Sequence, residues 1–295
     1  SFINSTFAEK EARRFNGFIC GFGSLGAIAG GFLTGYLAGG KFGFRIGTED
    51  IVLLASVCLI PAALLTDIGY WIGGEPQPSE DERILKRKLA LSLFKDSFYL
   101  RRIFVLILLT QIISTALDLR FFGLVEESFP EKDARTAFTG AFYGKLNVAA
   151  GVLQFVIVPL LLPLVPLKAV HLFIPAVHAV TAVLLIVKPS LATGGLAFMT
   201  FKALDYSLFR AAKEILYIPL SFDSRYKAKE VIDAFGYRAA KGMASGAASL
   251  VTIVTKQLSV IIYPATVIVC SLGWILAIPA LLKEYFTIKG ERTIK

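Results

Sequence analysis

The chain has 295 residues, 55% of them apolar, and a formal net charge of +9, with a mean hydropathy of +0.66. That is too apolar for an ordinary water-soluble domain, and a soluble all-helical fold would need eight buried helices with almost no polar face. Cys20, Cys58 and Cys270 are scattered through apolar stretches, which argues against both a disulfide framework and a cysteine metal site.

A membrane span needs about 20 mainly apolar residues, because the hydrocarbon core is roughly 30 Å thick and a helix rises about 1.5 Å per residue. Eight stretches meet that requirement: 17–39, 50–73, 103–125, 137–165, 169–187, 194–219, 242–262 and 264–283. The fold class expected is therefore an all-α integral membrane protein. The chain begins at Ser1 with a polar, basic segment instead of a Met and signal peptide, so an N-terminal part of a longer protein is expected to be absent or cleaved.

The first span carries Gly17, Gly21, Gly26, Gly30, Gly31, Gly35 and Gly39. Small residues four apart let helices approach closely, so tight packing is expected, with a glycine-lined path for a moving helix as the alternative. It is no phosphate-binding loop, since no strand precedes it and no Lys-Ser/Thr follows. After the second span, residues 74–102 open with Glu75-Pro76-Gln77-Pro78-Ser79-Glu80-Asp81-Glu82. Ile84, Leu85, Leu89, Leu91, Leu93 and Phe94 then alternate with basic residues, which predicts a helix lying on the membrane surface. Two spans precede this loop and six follow. That division resembles a major-facilitator-like bundle: 1–73 the last two helices of an N-terminal half, 74–102 the connecting loop, and 103–295 a six-helix C-terminal half.

On the third span Gln111, Thr115, Asp118 and Phe122 align, while Arg120 points elsewhere. On the fourth, Tyr143, Asn147 and Gln154 align beside Gly140, Gly144 and Gly151, leaving Lys145 off that face. The fifth holds both histidines, His171 and His178, without the companion ligands a metal site requires. The sixth is the most informative. At 100° per residue, Lys202, Tyr206, Arg210 and Lys213 fall on one arc, flanked by Asp205 and Glu214, and Arg210 and Glu214 have the spacing of a helix ion pair. A charge in mid-membrane costs at least about 2.5–3.5 kcal/mol, so these groups need partners or a wet cavity. Two readings stand: internal neutralisation with snorkelling, or a basic stripe with an aromatic residue lining an anion cavity. On the seventh span Lys241, Ser245, Thr252 and Lys256 share a face. A second surface helix is expected at 224–238, between spans six and seven.

With eight spans, 20 of the Lys and Arg residues outside them fall on one side and five on the other. The positive-inside rule then places both ends and the 74–102 loop in the cytoplasm, and the basic charge reports membrane orientation instead of nucleic-acid binding. There is no Gly-x-Ser-x-Gly and no HExxH; no enzyme activity, metal or cofactor is expected.

The segment Asp205-Tyr-Ser-Leu-Phe-Arg-Ala-Ala-Lys-Glu-Ile-Leu-Tyr-Ile-Pro-Leu220, followed by Lys227-Ala-Lys-Glu-Val-Ile-Asp-Ala-Phe-Gly236 and Lys241-Gly242, resembles the ATP/ADP translocase family. Glu11-Ala-Arg-Arg-Phe-Asn-Gly-Phe-Ile and Gly23-Ser-Leu-Gly-Ala-Ile-Ala-Gly30 resemble the same family around its fifth helix, so the likeness runs from helix 5 to helix 12. It implies a major-facilitator-like fold and nucleotide exchange, with basic residues meeting phosphates. The family's lysine in Lys-Glu-…-Tyr-Ile-Pro-Leu falls on Lys213, and its seventh-helix glutamate on Asp118, a shorter acid. Asp118-Leu-Arg-Phe-Phe122 departs from the nucleotide exchangers toward the bacterial relatives.

The function expected is a secondary transporter of an anionic, phosphate-bearing metabolite, nucleotides such as ATP and ADP first, working by alternating access. The alternative is a non-transporting accessory membrane subunit that keeps the fold. Candidate substrate-binding residues are Lys202, Tyr206, Arg210, Lys213, Asp118, Asn147 and Lys256. The partners expected are membrane lipids, the anion, and a missing N-terminal segment or other membrane subunits. The location expected is a bacterial inner membrane or an organelle inner envelope.

Overall fold

The computed structural model describes residues 9–73, 97–220, 228–229, 231–255 and 260–293. Among them no strand occurs. We name the helices α1 (Glu9–Ala38), α2 (Thr48–Gly73), α3 (Phe98–Ser128), α4 (Lys132–Leu161), α5 (Leu167–Val187), α6 (Leu191–Leu204, continuing through Asp205–Phe209 and Arg210–Tyr217), α7 (Tyr237–Thr255) and α8 (Ile262–Thr293). Five of these contain runs long and apolar enough to cross a membrane: Thr48–Ile72, Phe98–Ser128, Lys132–Leu161, Leu167–Val187 and Ile262–Gly290. In α1 the apolar run is shorter, Phe22–Ala38. The protein is thus a helical bundle built for a membrane. The surface helix expected within 74–102 lies almost wholly outside the described residues. That expected at 224–238 lies partly outside them, and its described part is a π-helical segment, Val231–Gly236, leading into α7.

The chain forms two compact units. The first comprises Ser1–Arg87 and Phe129–Ala149, the second Lys88–Ser128 and Ala150–Lys295.

In the first unit the glycines of α1 meet those of α4. A Cβ placed on Gly31 would lie 2.6 Å from the backbone nitrogen of Gly144, and one on Gly140 would lie 2.6 Å from that of Gly35. Those neighbours are backbone atoms, which cannot swing aside, so the helices touch main chain to main chain. In lipid there is no hydrophobic drive between helices, and such close van der Waals contact is what holds them. At the end of α1 the chain turns through Gly40, whose φ of +70° is the left-handed conformation that favours glycine. A polar cluster closes this end. Arg45 donates to Glu131 (2.7 Å) and to the Ala38 carbonyl (3.0 Å), Lys132 pairs with Glu49, and Asp133 accepts from both the Thr48 amide (2.9 Å) and its hydroxyl (2.6 Å).

In the second unit α3 is central, packed against α6, α7 and α8, while α5 packs against α6 and α8. Ile103, Leu106, Phe121, Phe198, Phe201, Phe209 and Trp274 are fully buried there. Phe121 stacks on Phe198 at 4.5 Å, and His178 lies 5.0 Å from Phe201 and 6.2 Å from Trp274. Both histidines are buried in this aromatic packing. Among the described residues no three His, Cys, Asp or Glu side chains cluster as metal ligands would.

Among the described residues π turns also occur within α4 (Leu153–Ile157) and α6 (Asp205–Phe209), and these two pack against each other. In α4 the cause is Pro159 just beyond, which has no amide to give and whose ring crowds the carbonyl four residues back. In α6 the π segment contains Ser207, whose hydroxyl donates to the Ala203 carbonyl (2.5 Å).

Candidate functional site

The position of α6 is fixed at both ends. Ser190 caps its start: the hydroxyl accepts from the Thr193 amide (3.3 Å), while the Ser190 amide donates to the Thr193 hydroxyl (3.2 Å). Near its other end the Leu216 carbonyl accepts from the Tyr99 hydroxyl of α3 (2.5 Å). Between these anchors sits the π turn, which adds a residue to the helical repeat and resets the side-chain directions beyond it. The single arc expected from 100° steps is accordingly split by exposure: Lys202 and Lys213 are buried, Tyr206 and Arg210 exposed.

Lys202 reaches from α6 to α3. Its ammonium lies 2.9 Å from Asp118 Oδ1 and donates to Ser114 Oγ at 3.0 Å, with the Phe198 and Phe201 rings 5.2 and 5.7 Å away. Its side chain is only 7% exposed. Low-dielectric surroundings strengthen a paired charge and penalise an unpaired one, so this contact holds both Lys202 and Asp118 in place. The other Asp118 oxygen, Oδ2, faces Lys241 of α7 at 3.6 Å. One carboxylate therefore joins three helices.

One turn earlier on α7, Tyr237 accepts from Lys213 Nζ at 3.1 Å, and the ammonium sits 5.0 Å from the centre of its ring. Lys202, Lys213, Lys241 and Arg210 all lie close enough to Asp205 to interact with it electrostatically, and Tyr206 interacts in the same way with Asp205 and Asp118. Among the described residues four cations thus gather around two carboxylates, an excess of positive charge inside an apolar helical unit. Glu214 does not reduce it: its carboxylate pairs with Lys229.

Of the residues singled out from the sequence, Asp118, Lys202, Tyr206, Arg210 and Lys213 come together here. Asn147 lies in the first unit, where its Nδ2 donates to the Ala27 carbonyl of α1 (3.2 Å). Lys256 lies outside the described residues. Arg120 is buried and pairs with Glu127 at 3.4 Å, away from this group. Lys241, which the sequence places on a face of the seventh span with Ser245, Thr252 and Lys256, joins the group through its contact with Asp118 on another helix. The grooves between α3 and α8, lined by residues including Phe98, Arg102 and Glu284, contain none of these side chains.

The profile of the TLC ATP/ADP transporter family matches residues 164–285, which cover α5 through most of α8 and so Lys202, Arg210, Lys213 and Lys241. The chain is similar to ADP,ATP carrier protein 3 of Rickettsia bellii (strain RML369-C), with 23% identity over 336 aligned residues, 96% of this chain and 66% of the carrier. It is 33% identical to the carriers of the same name from Rickettsia typhi and Rickettsia prowazekii over 96 residues, 31% of this chain and 19% of each carrier. The chain thus spans 66% of the length of the first of these relatives. No solved structure matches it.

Proposed function

The chain is a relative of the ATP/ADP translocase family, and on that premise we propose that it forms part of a secondary transporter exchanging phosphate-bearing anions, nucleotides such as ATP and ADP first among them. The observation that carries the reading is the grouping of Lys202, Lys213, Lys241 and Arg210 around Asp118 and Asp205 within one helical unit. Burying charge in a membrane bundle is expensive, and cations in excess of their internal acids are retained where an anion completes the neutralisation. An accessory subunit with no ligand would have no use for that excess.

In this reading the roles divide by chemistry and exposure. Arg210, exposed, presents a planar fork that can place two hydrogen bonds on phosphate oxygens. Lys213 supplies a compact charge held by Tyr237. Tyr206, 41% exposed, offers a ring for a base to stack on. Lys202 fixes Asp118. Alternating access then proceeds by movement of two halves, with eight spans, both ends and the 74–102 loop in the cytoplasm, and the division at 1–73 and 103–295 separating the halves.

The test is equilibrium binding of a panel to the purified full-length protein: ATP, ADP, pyrophosphate, phosphorylated sugars, and adenosine as the uncharged control. The reading expects saturable binding of phosphorylated compounds and none of adenosine alone at the same concentration. Equal binding of adenosine and ATP would remove the role of the cations.

A further inference from the structure

Where α3 begins, it meets α8 close to the place where α8 leaves its apolar stretch. Arg102 Nη1 of α3 lies 2.6 Å from Glu284 Oε1 and donates to the Ala280 carbonyl at 2.8 Å. The apolar stretches of the sequence begin at 103 on α3 and end at 283 on α8, so this contact marks one border of the hydrocarbon. Two grooves open beside it, of about 310 and 570 Å³, and share Phe98, Arg102 and Ala280 in their walls. Volumes of ~300–1,000 Å³ are those of small-molecule sites. The walls are sorted by chemistry. Arg101, Arg102 and Lys283 stand at the border, whereas Val105 and Ala277 line the part toward the membrane interior. On α8 the line of Lys283 and Ala280 continues through Leu276, Leu272 and Val269, all within an arc of about 80° at 100° per residue. These last three are exposed, Leu276 by 78%.

The border charges are not balanced within the groove. Glu284 is the one carboxylate among its lining residues; Oε1 takes Arg102, and Oε2 is enclosed. Arg102 makes both of its contacts through Nη1, which leaves Nε and Nη2 for another acceptor. The Arg101 guanidinium lies 4.0 Å over the Phe98 ring, and among the described residues neither Arg101 nor Lys283 has a carboxylate partner. Ser97 Oγ accepts from the Leu100 amide (3.3 Å) and so keeps its hydrogen to donate.

We propose that this groove is a binding site for an anionic glycerophospholipid. The phosphodiester lies among Arg101, Arg102 and Lys283, and one acyl chain runs past Ala280, Ala277 and Val105 onto the exposed face of α8. Basic pockets between helices at the membrane border are a recurrent setting for lipid headgroups. A soluble phosphate ester would match the cations alone; the apolar floor and the ridge it leads to are matched by an acyl chain. The site shares no side chain with the group around Asp118 and does not depend on the anion-exchange reading.

The test uses full-length protein in detergent, with dioleoyl phosphatidylglycerol, dioleoyl phosphatidylcholine and soluble glycerol 3-phosphate as probes. Native mass spectrometry and the melting temperature read the outcome. Saturable binding of phosphatidylglycerol with a raised melting temperature is expected, with weaker binding of phosphatidylcholine and no displacement by glycerol 3-phosphate. Arg101→Gln combined with Lys283→Gln should weaken phosphatidylglycerol binding about 30-fold, the equivalent of ~2 kcal/mol at ~1 kcal/mol per cation. Lys168→Gln combined with Lys188→Gln, exposed lysines at the two ends of α5, changes the net charge equally and should not. Ala280→Trp fills the groove without altering charge and should weaken the lipid as well. Parent-like affinity in the Arg101 and Lys283 variant or in folded Ala280→Trp overturns the proposal. So does an equal loss in the α5 control, equal binding of phosphatidylcholine, or displacement by glycerol 3-phosphate. Should Ala280→Trp fail to fold, the charge variants decide.

Discussion

Replacing Lys202 by methionine tests whether the buried ion pair organises the site. Methionine preserves most of the length and apolar stem of the side chain, so packing against Phe198 and Phe201 is largely retained. What is lost is the 2.9 Å contact to Asp118 and the 3.0 Å bond to Ser114. Removing one partner of a fully buried pair costs about 3–5 kcal/mol, chiefly because the other charge is stranded. Asp118 is 26% exposed and retains Lys241 at 3.6 Å, so the penalty should fall to about 2–3 kcal/mol. At roughly 2–4 °C per kcal/mol for a domain of this size, that predicts a melting temperature lowered by about 4–12 °C, measured by heating the detergent-solubilised protein and following the monodisperse peak. The double variant Lys202→Met with Asp118→Leu removes both charges and should regain most of the loss. Lys202→Met melting like the parent protein, or a double variant worse than the sum of its parts, would refute the argument that this pair fixes α6 on α3.

Gly140→Leu forces a side chain into the backbone of Gly35 at 2.6 Å, so α1 and α4 must part. It should cost at least the ~1–3 kcal/mol of ordinary overpacking and appear as a lower yield of folded protein, whereas Gly23→Leu should leave the yield unchanged, because nothing lies within 4 Å of a Cβ there. Arg210→Lys keeps the charge but loses the fork, and should weaken ATP binding on the order of five-fold or more, by the ~1 kcal/mol or more that a charge-assisted bond contributes. Single cysteines at Ser79 and Ser190 should react with an impermeant thiol reagent from opposite sides of the membrane; labelling of both from one side rejects the cytoplasmic placement of the 74–102 loop.

Much of the helical layout was legible because hydrophobic run length reports apolar helices directly: each of the eight apolar stretches overlaps one of α1 to α8, and among the described residues five of these helices carry a run long and apolar enough to cross a membrane. The glycines of the first span were legible as a packing surface, and the α1–α4 contact at Gly31, Gly35, Gly140 and Gly144 is the physical outcome. The stripe on α6 was legible as a set of residues but not as a geometry. A helical wheel assumes a constant 100° step, and the π turn at Asp205–Phe209, which no periodicity displays, breaks it. The spacing of Arg210 and Glu214 invited a pair, yet Glu214 meets Lys229 from beyond the end of its helix. Lys241 was legible as one end of a polar face on the seventh span, but its partner was not, because its proximity to Asp118 is a contact between residues more than a hundred positions apart.

The central claim is that these cations serve the exchange of phosphate-bearing anions across a membrane. Full-length protein reconstituted into vesicles preloaded with ADP, and given labelled ATP outside, tests it most directly. The account predicts ATP uptake that requires the internal nucleotide and falls sharply in Lys213→Gln. Uptake indifferent to internal nucleotide and to Lys213, or no movement of any phosphorylated compound from the binding panel, would contradict it.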